Sequence, residues 1–257
     1  GLFSPHVVAA MGGSAAPSMG TDGTGARLMQ ALGHEITPLY PALVQLRCSH
    51  PALKGLKGIR TQAELTLMID GRAVLRETGE LLLTDYGVSG VCVFQLSREA
   101  APALAQGRSV RLAVNFLPEI PSLLPWLDAR IRQLAPASLL ALTTGVLPRL
   151  LAQTVIREAR LSPDMPAEAL SESEKQALCG ALSAFPLVVT GTQGFANAQV
   201  TRGGVSLADV DPSTMASRLF DGLHIIGELL DVDGPCGGYN LHFAFAGALA
   251  AAKAIAG

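Results

Sequence analysis

The chain is poor in aromatic residues and in charge: 5% of its 257 residues are Phe, Trp or Tyr, and 16% are Asp, Glu, Lys or Arg. Nineteen basic side chains against 21 acidic ones leave a formal net charge of −2. No cluster of Lys and Arg stands out, which argues against a nucleic-acid partner, because affinity for phosphate needs concentrated positive charge. No apolar run reaches the ~20 residues of a membrane helix, so no membrane partner is expected. The N-terminal stretch has no Lys or Arg ahead of its short apolar segment and does not read as a secretory signal. Four cysteines, Cys48, Cys92, Cys179 and Cys236, form no C-x-x-C pair. Neither a zinc site nor a disulfide framework follows, and a reduced, cytoplasmic chain is expected. The five histidines, His6, His34, His50, His224 and His242, show no metal-ligand spacing, so no metal is expected either. His224 lies on an apolar strand and reads as core, whereas His242 lies close to a candidate ligand end. A mean hydropathy of +0.37 leaves ample apolar surface for a core.

What is abundant is glycine and proline: 27 and 16 residues, roughly one in six of the chain against an average of about one in eight. Their placement organises the sequence. Residues His6 to Met11 read as a short buried strand running into Gly12, Gly13, Gly20, Gly23 and Gly25, followed by a helix that ends at Gly33. Strand, glycine loop, helix is the order of a parallel α/β unit. Between Ile36 and Asn115, five strand-like runs (37–46, 63–70, 72–87, 91–96 and 109–116) are split by Gly, Pro and Asp turns, suggesting an antiparallel sheet or small barrel.

From Pro121 to Leu182 the apolar period becomes helical, as in Leu147, Leu150, Leu151 and Val155. Ser171 and Glu174 have the spacing of a capping box. Strands return at 186–191, 198–207 and 222–228, and an Ala- and Phe-rich helix from Tyr239 closes the chain. The expected fold class is α/β (α+β overall), one domain interrupted by insertions, with both ends in the same nucleotide-binding unit.

Glycines let a ligand approach the backbone, so the clusters are the candidate sites. The loop from Gly12 to Gly25 precedes a helix whose N–H groups suit a phosphate, but no Lys completes a P-loop and Leu28 stands where G-x-G-x-x-G needs its third glycine. A structural turn and a ligand loop are both open there. At Gly227-Glu228 a buried strand delivers a glycine and a carboxylate at its C-terminal end, where open α/β sheets bind ligands. Gly237-Gly238 then precede a helix whose N-terminus carries partial positive charge and suits an electron-rich carbonyl or an anion. Asp231 and Asp233 read as turn residues. Gly203-Gly204 break a strand as a bulge or close approach would. Ser89 has no sequence partner that would make it a nucleophile.

These motifs, together with Pro17, Leu32-Gly33-His34, Thr84-Asp85-Tyr86-Gly87, Gln199-Val200-Thr201 ahead of Gly203-Gly204-Val205, and Gly227-Glu228-Leu229-Leu230-Asp231-Val232-Asp233-Gly234 with Gly237-Gly238-Tyr239-Asn240-Leu241, resemble the HI0933-like (YhiN/BaiN-type) flavoproteins in order along nearly the whole chain. Met11 and Val91 depart from the family's usual Thr and Pro. The resemblance implies an NAD(P)/FAD-dependent oxidoreductase that transfers a hydride through FAD on a small-molecule substrate, with NAD(P)H as electron donor. Some relatives look like reductases of ring-conjugated ketones such as bile-acid intermediates, others like amine oxidases.

It also implies a two-dinucleotide-binding-type FAD domain (1–45 and 186–257), a β-rich insertion (46–120) and a helical insertion (121–185). Gly12, Gly13, Pro17 and Gly20 are then expected beside the cofactor, with Thr201, Gly203, Gly204 and Val205 near the isoalloxazine ring. Gly227 and Glu228 would meet the ribityl chain, and the helix start at Gly237, Gly238, Tyr239, Asn240 and Leu241 the flavin N1–C2 edge. No catalytic base is assigned. The family opens with a G-x-G-x-x-G unit that these residues do not contain, so the chain reads as a fragment lacking that unit. Two alternatives stay open: a cofactor-free truncated fragment or binding module without activity, and a fumarate-reductase-like flavoprotein.

Overall fold

A computed structural model describes residues 4–257 of the chain. The fold is mixed α/β and divides into two compact units. One comprises the segment up to Val44 together with Thr192–Gly257, so the two ends of the chain share a unit; the other is the continuous segment Gln45–Gly191.

The first unit is Rossmann-type. Strand β1 (Val7–Ala9) pairs in parallel with β10 (Leu223–Ile225), Ala9 opposite Ile225. Each strand runs through a glycine-containing loop into a helix: α1 (Thr24–Ala31) after β1, and α7 (Tyr239–Ala256) after β10 and a 3-10 turn at Gly227–Leu229. Because the strands are parallel, both loops leave the same end of the pair. A second pair, β2 (Tyr40–Ala42) antiparallel to β9 (Val200–Arg202), carries the Thr201 region. Ala9, Met29, Val205, Ile225 and Leu230 form the centre of this unit's core.

Strand β1 differs from its expected buried state. Only Ala9 is buried, while Val7 and Val8 are 56% and 43% exposed, because β1 is paired on one edge among the described residues and no layer covers these valines. On α7, Gly247 faces Met215, whose Sδ would lie 3.6 Å from a Cβ there, and this lets the helix approach the core closely. Leu241, Phe245 and Leu249, at four-residue steps, remain 63–68% exposed.

The second unit is a closed barrel with helices. Strands β3 (Leu46–Ser49), β4 (Arg60–Ile69), β5 (Arg72–Leu83), β6 (Gly87–Ser89), β7 (Val110–Asn115) and β8 (Phe185–Thr192) close in the order β3-β6-β5-β4-β7-β8. The β4–β5 hairpin turns at Asp70-Gly71, both at positive φ (51° and 77°), the two-residue geometry that favours Asp-Gly. In β4, Ala63, Leu65, Leu67 and Ile69 alternate into the barrel core.

Helix α2 (Val91–Ala105) follows β6, and α3 (Leu123–Leu134), α4 (Leu139–Leu142), α5 (Arg149–Glu158) and α6 (Glu172–Ser183) follow β7. Leu127, Leu151, Val155 and Leu182 from these helices join Leu112 and Leu187 from the strands in one core. The segment 121–185 therefore packs with the barrel, and β8, grouped by sequence with the C-terminal segment, pairs with β7. The run 91–96, read as a strand, is the first turn and a half of α2. Its Cys92, Val93, Leu96, Ser97 and Ala100 are buried on one face, so packing overrides the strand preference of Val and Phe. The run 37–46 splits into β2 and the start of β3.

Candidate functional site

The C-terminal ends of β1 and β10 meet through three backbone segments. Thr201, 1% exposed on β9, accepts hydrogen bonds at Oγ1 from the Ser14 and Ala15 N–H groups at 2.7 and 2.9 Å. Its own N–H donates to Glu228 Oε1 at 3.0 Å. Gly13 lies directly over this junction. A Cβ there would collide with Thr201 Oγ1 and stand 2.5 Å from Glu228 Oε1, so only glycine fits.

Burial raises the pKa of the Glu228 carboxyl above its ordinary value of 4.5, outweighing the Thr201 hydrogen bonds that lower it. Glu228 is one wall of a pocket of about 340 Å³ whose other sides come from Leu43, Val200, Phe243 and the loop Pro235–Gly238. The first turn of α7 contributes Asn240 and Leu241 and carries no acidic side chain, so its free N–H groups keep their partial positive charge.

Asn240 braces the loop: its Oδ1 accepts from the Gly234 N–H at 2.7 Å, and its Nδ2 donates to the Gly234 carbonyl at 3.0 Å. Both polar ends of the amide are thus spent on the protein, which makes Asn240 a positioning residue.

Of the expected site residues, Glu228, Gly237, Gly238, Asn240 and Leu241 line this pocket. Tyr239 lies 61% exposed beside Gly237, and Gly227 (φ 67°) opens the 3-10 turn that carries Glu228. Thr201 and Gly13 support the wall from behind. Gly203 and Gly204 pass against the protein's own backbone: a Cβ on the first would strike the Pro38 carbonyl, and one on the second would lie 2.6 Å from the Leu229 carbonyl oxygen. Val205 is fully buried between Ile36 and Leu230. Pro17 and Gly20 form an exposed 3-10 turn in the loop after Gly12, which is itself at φ 74°.

At the end of that loop, just ahead of α1, Asp22 Oδ1 accepts from the Thr24 N–H at 2.9 Å, while the N-cap itself is Gly23 and carries no side-chain cap hydrogen bond. His224 is buried with Nδ1 3.0 Å from the Thr214 carbonyl, and His242 is exposed and does not line the pocket. Burial raises the Cys48 thiol to about 12 and also raises Cys92 and Cys179, so none of these is an activated thiol. Sequence reasoning passed over Phe243, Val232 and Cys236 as pocket residues. Their signal was the proximity of all three to the Gly237-Gly238 helix start.

The fold and site define a mixed α/β protein with a Rossmann-type unit and one pocket built at a helix N-terminus. Comparison with known proteins narrows this further. The family described as HI0933-like protein Rossmann domain matches residues 2–254, and the chain belongs to that family. It is 38% identical over 254 residues to the 3-dehydro-bile acid delta(4,6)-reductase of Clostridium scindens, covering 98% of this chain and 62% of that protein. It is 32% identical over 251 residues to the ribosomal RNA dihydrouridine synthase of Escherichia coli, covering 96% and 60%. The protein of the same name from Haemophilus influenzae is 28% identical over 253 residues, covering 97% and 60%. The chain thus spans about three-fifths of the length of these curated relatives.

The FAD implied by the family can be tested against the residues present. A pocket of about 340 Å³ lies at the small end of the ~300–1,000 Å³ typical of ligand sites. Its apolar walls, side-chain-free glycines and unblocked helix amides fit a flat ring with an electron-rich edge. The glycine loop between β1 and α1 contributes no residue to this pocket.

Proposed function

We propose that the protein carrying this chain is a flavin-dependent oxidoreductase that transfers a hydride through FAD, with NAD(P)H as donor, to a small organic substrate. The observation that carries the reading is the pocket at the start of α7, in a chain of this family. Bound FAD would supply the hydride chemistry. The chain's own residues bind and orient. Gly237 and Gly238 let a ring lie close to the backbone, and the α7 amides favour negative charge at its edge. Leu43, Val200 and Phe243 keep water from its face. Glu228, whose pKa is raised, holds a proton at its carboxyl more readily than an exposed glutamate.

The names of two relatives point to the substrate class. A delta(4,6)-reductase saturates ring double bonds, and a dihydrouridine synthase yields uridine with its ring double bond saturated. In both, the bond reduced is conjugated to a carbonyl. A ring C=C conjugated to C=O is therefore the proposed acceptor. A small molecule is favoured over RNA because the net charge is −2 and the basic residues are dispersed.

The test is spectroscopic. Purified protein should show flavin absorbance, or gain it on incubation with FAD, and should bleach anaerobically with NADH or NADPH and recover on adding a ring enone. Protein that neither carries nor takes up FAD overturns the proposal. It would favour instead a cofactor-free module.

A further inference from the structure

A second cavity in the same unit, of about 290 Å³, lies beside the first. Its walls are Leu207, Val210, Pro212, Met215 and Leu230, and it shares Val232 and Phe243 with the first pocket. The two cavities differ in chemistry. The first has Glu228, Gln199, Asn240 and the helix amides. Every residue lining the second is apolar, so no side chain there can satisfy a hydroxyl, a phosphate or a charge, and such a group buried there would go unpaired.

The base of the second cavity is firm. Val210, Met215 and Leu230 are 3%, 8% and 1% exposed, and the 207–217 segment is tied down by Met215 N–H to the Asp211 carbonyl (2.7 Å) and Ile225 N–H to the Met215 carbonyl (2.8 Å). Its mouth is formed by Leu207, 53% exposed, and by exposed Pro212. Phe243 therefore stands on α7 as a partition between a polar-edged pocket and a wholly apolar one.

We propose that this second cavity is a binding subsite for the neutral hydrocarbon ring portion of the ligand, with Phe243 the residue that sets its distance from the polar pocket. The inference rests on the proposed oxidoreductase reading for what becomes of the ligand, but its binding is separable from that reading. A saturated alicyclic body fits the cavity, because it loses water on every face and asks for no hydrogen bond. A nucleoside does not, since its ribose hydroxyls and base amide would be stranded.

The experiment uses the neutral fluorescent probe N-phenyl-1-naphthylamine, titrated into the chain without FAD, with 2-decalone and uridine as competitors. Saturable probe binding displaced by 2-decalone and not by uridine is expected. Leu207→Trp and Pro212→Trp, both at the mouth, should weaken it at least tenfold, whereas Leu249→Ser on the exposed α7 stripe should leave it unchanged. Displacement by uridine alone, binding lost in Leu249→Ser and kept in both mouth variants, or no saturable binding overturns the subsite. FAD uptake is measured in parallel on the whole protein that carries this chain. Its absence alongside probe binding that behaves as expected would overturn the flavin reading and leave the subsite standing.

Discussion

Thr201 is the residue on which the candidate site is hung. A buried hydroxyl that accepts from two backbone N–H groups while its own N–H reaches Glu228 ties the β1 loop, β9 and the Gly227–Leu229 turn together. Thr201→Val keeps the shape and removes the acceptor. Leaving one part-buried and one buried donor unmet should cost about 2–4 kcal/mol, read as a lower urea midpoint. Glu228 yields a pH dependence of definite sign. Its pKa is raised in the fold, so its contribution to stability is complete below the unfolded value and is lost as pH rises through the folded one. Glu228→Gln should therefore gain stability relative to wild type as pH rises above 4.5, and urea midpoints at pH 4 and pH 7 check this. At this scale glycine was legible as a type but ambiguous in cause. Gly13, Gly203 and Gly204 are all dictated by a neighbouring atom of the protein itself, and only the fold reveals which atom.

Among the elements, those with strong local signals were read correctly. Helix α6 begins where Ser171 and Glu174 predicted: the Ser171 N–H donates to Glu174 Oε2 at 2.8 Å and the Glu174 N–H to Ser171 Oγ at 3.3 Å. Ser171→Ala should cost about 1 kcal/mol, visible as a lower melting temperature of the Gln45–Gly191 unit. Helix α7 starts at Tyr239 as expected because Gly238, at φ 92°, provides the left-handed turn before it. Helix α2 was misread as a strand, since Val91, Val93 and Phe94 prefer strands locally and the helical burial pattern emerges only over its full 15 residues. Strand β1 was read as buried because three apolar residues in a row carry no record of how many neighbours the strand has.

At the scale of the whole molecule, the main core of each unit shares no residue with that of the other among the described residues, and two cooperative units are the expected outcome. Trp126, the only tryptophan, lies in α3 and reports on the barrel unit. Leu112→Ala in the barrel core should lower the transition seen by Trp126 fluorescence by about 2–5 kcal/mol. Ile225→Ala in the other core should leave that transition in place while destabilising amides of β1 and β10 to hydrogen exchange. A Trp126 transition that moves equally in both variants would show one cooperative unit instead. The sequence alone determined the class: parallel α/β ends, a strand-rich and then helical middle, and a glycine-led helix start at Tyr239, because glycine placement and apolar period are local properties. The tertiary structure decided that the helical segment shares the barrel's core. It also showed that Gly203 and Gly204 make room for backbone, and that Phe243 divides a polar pocket from an apolar one. These depend on which distant segments meet, and close packing settles that only once the whole chain is folded.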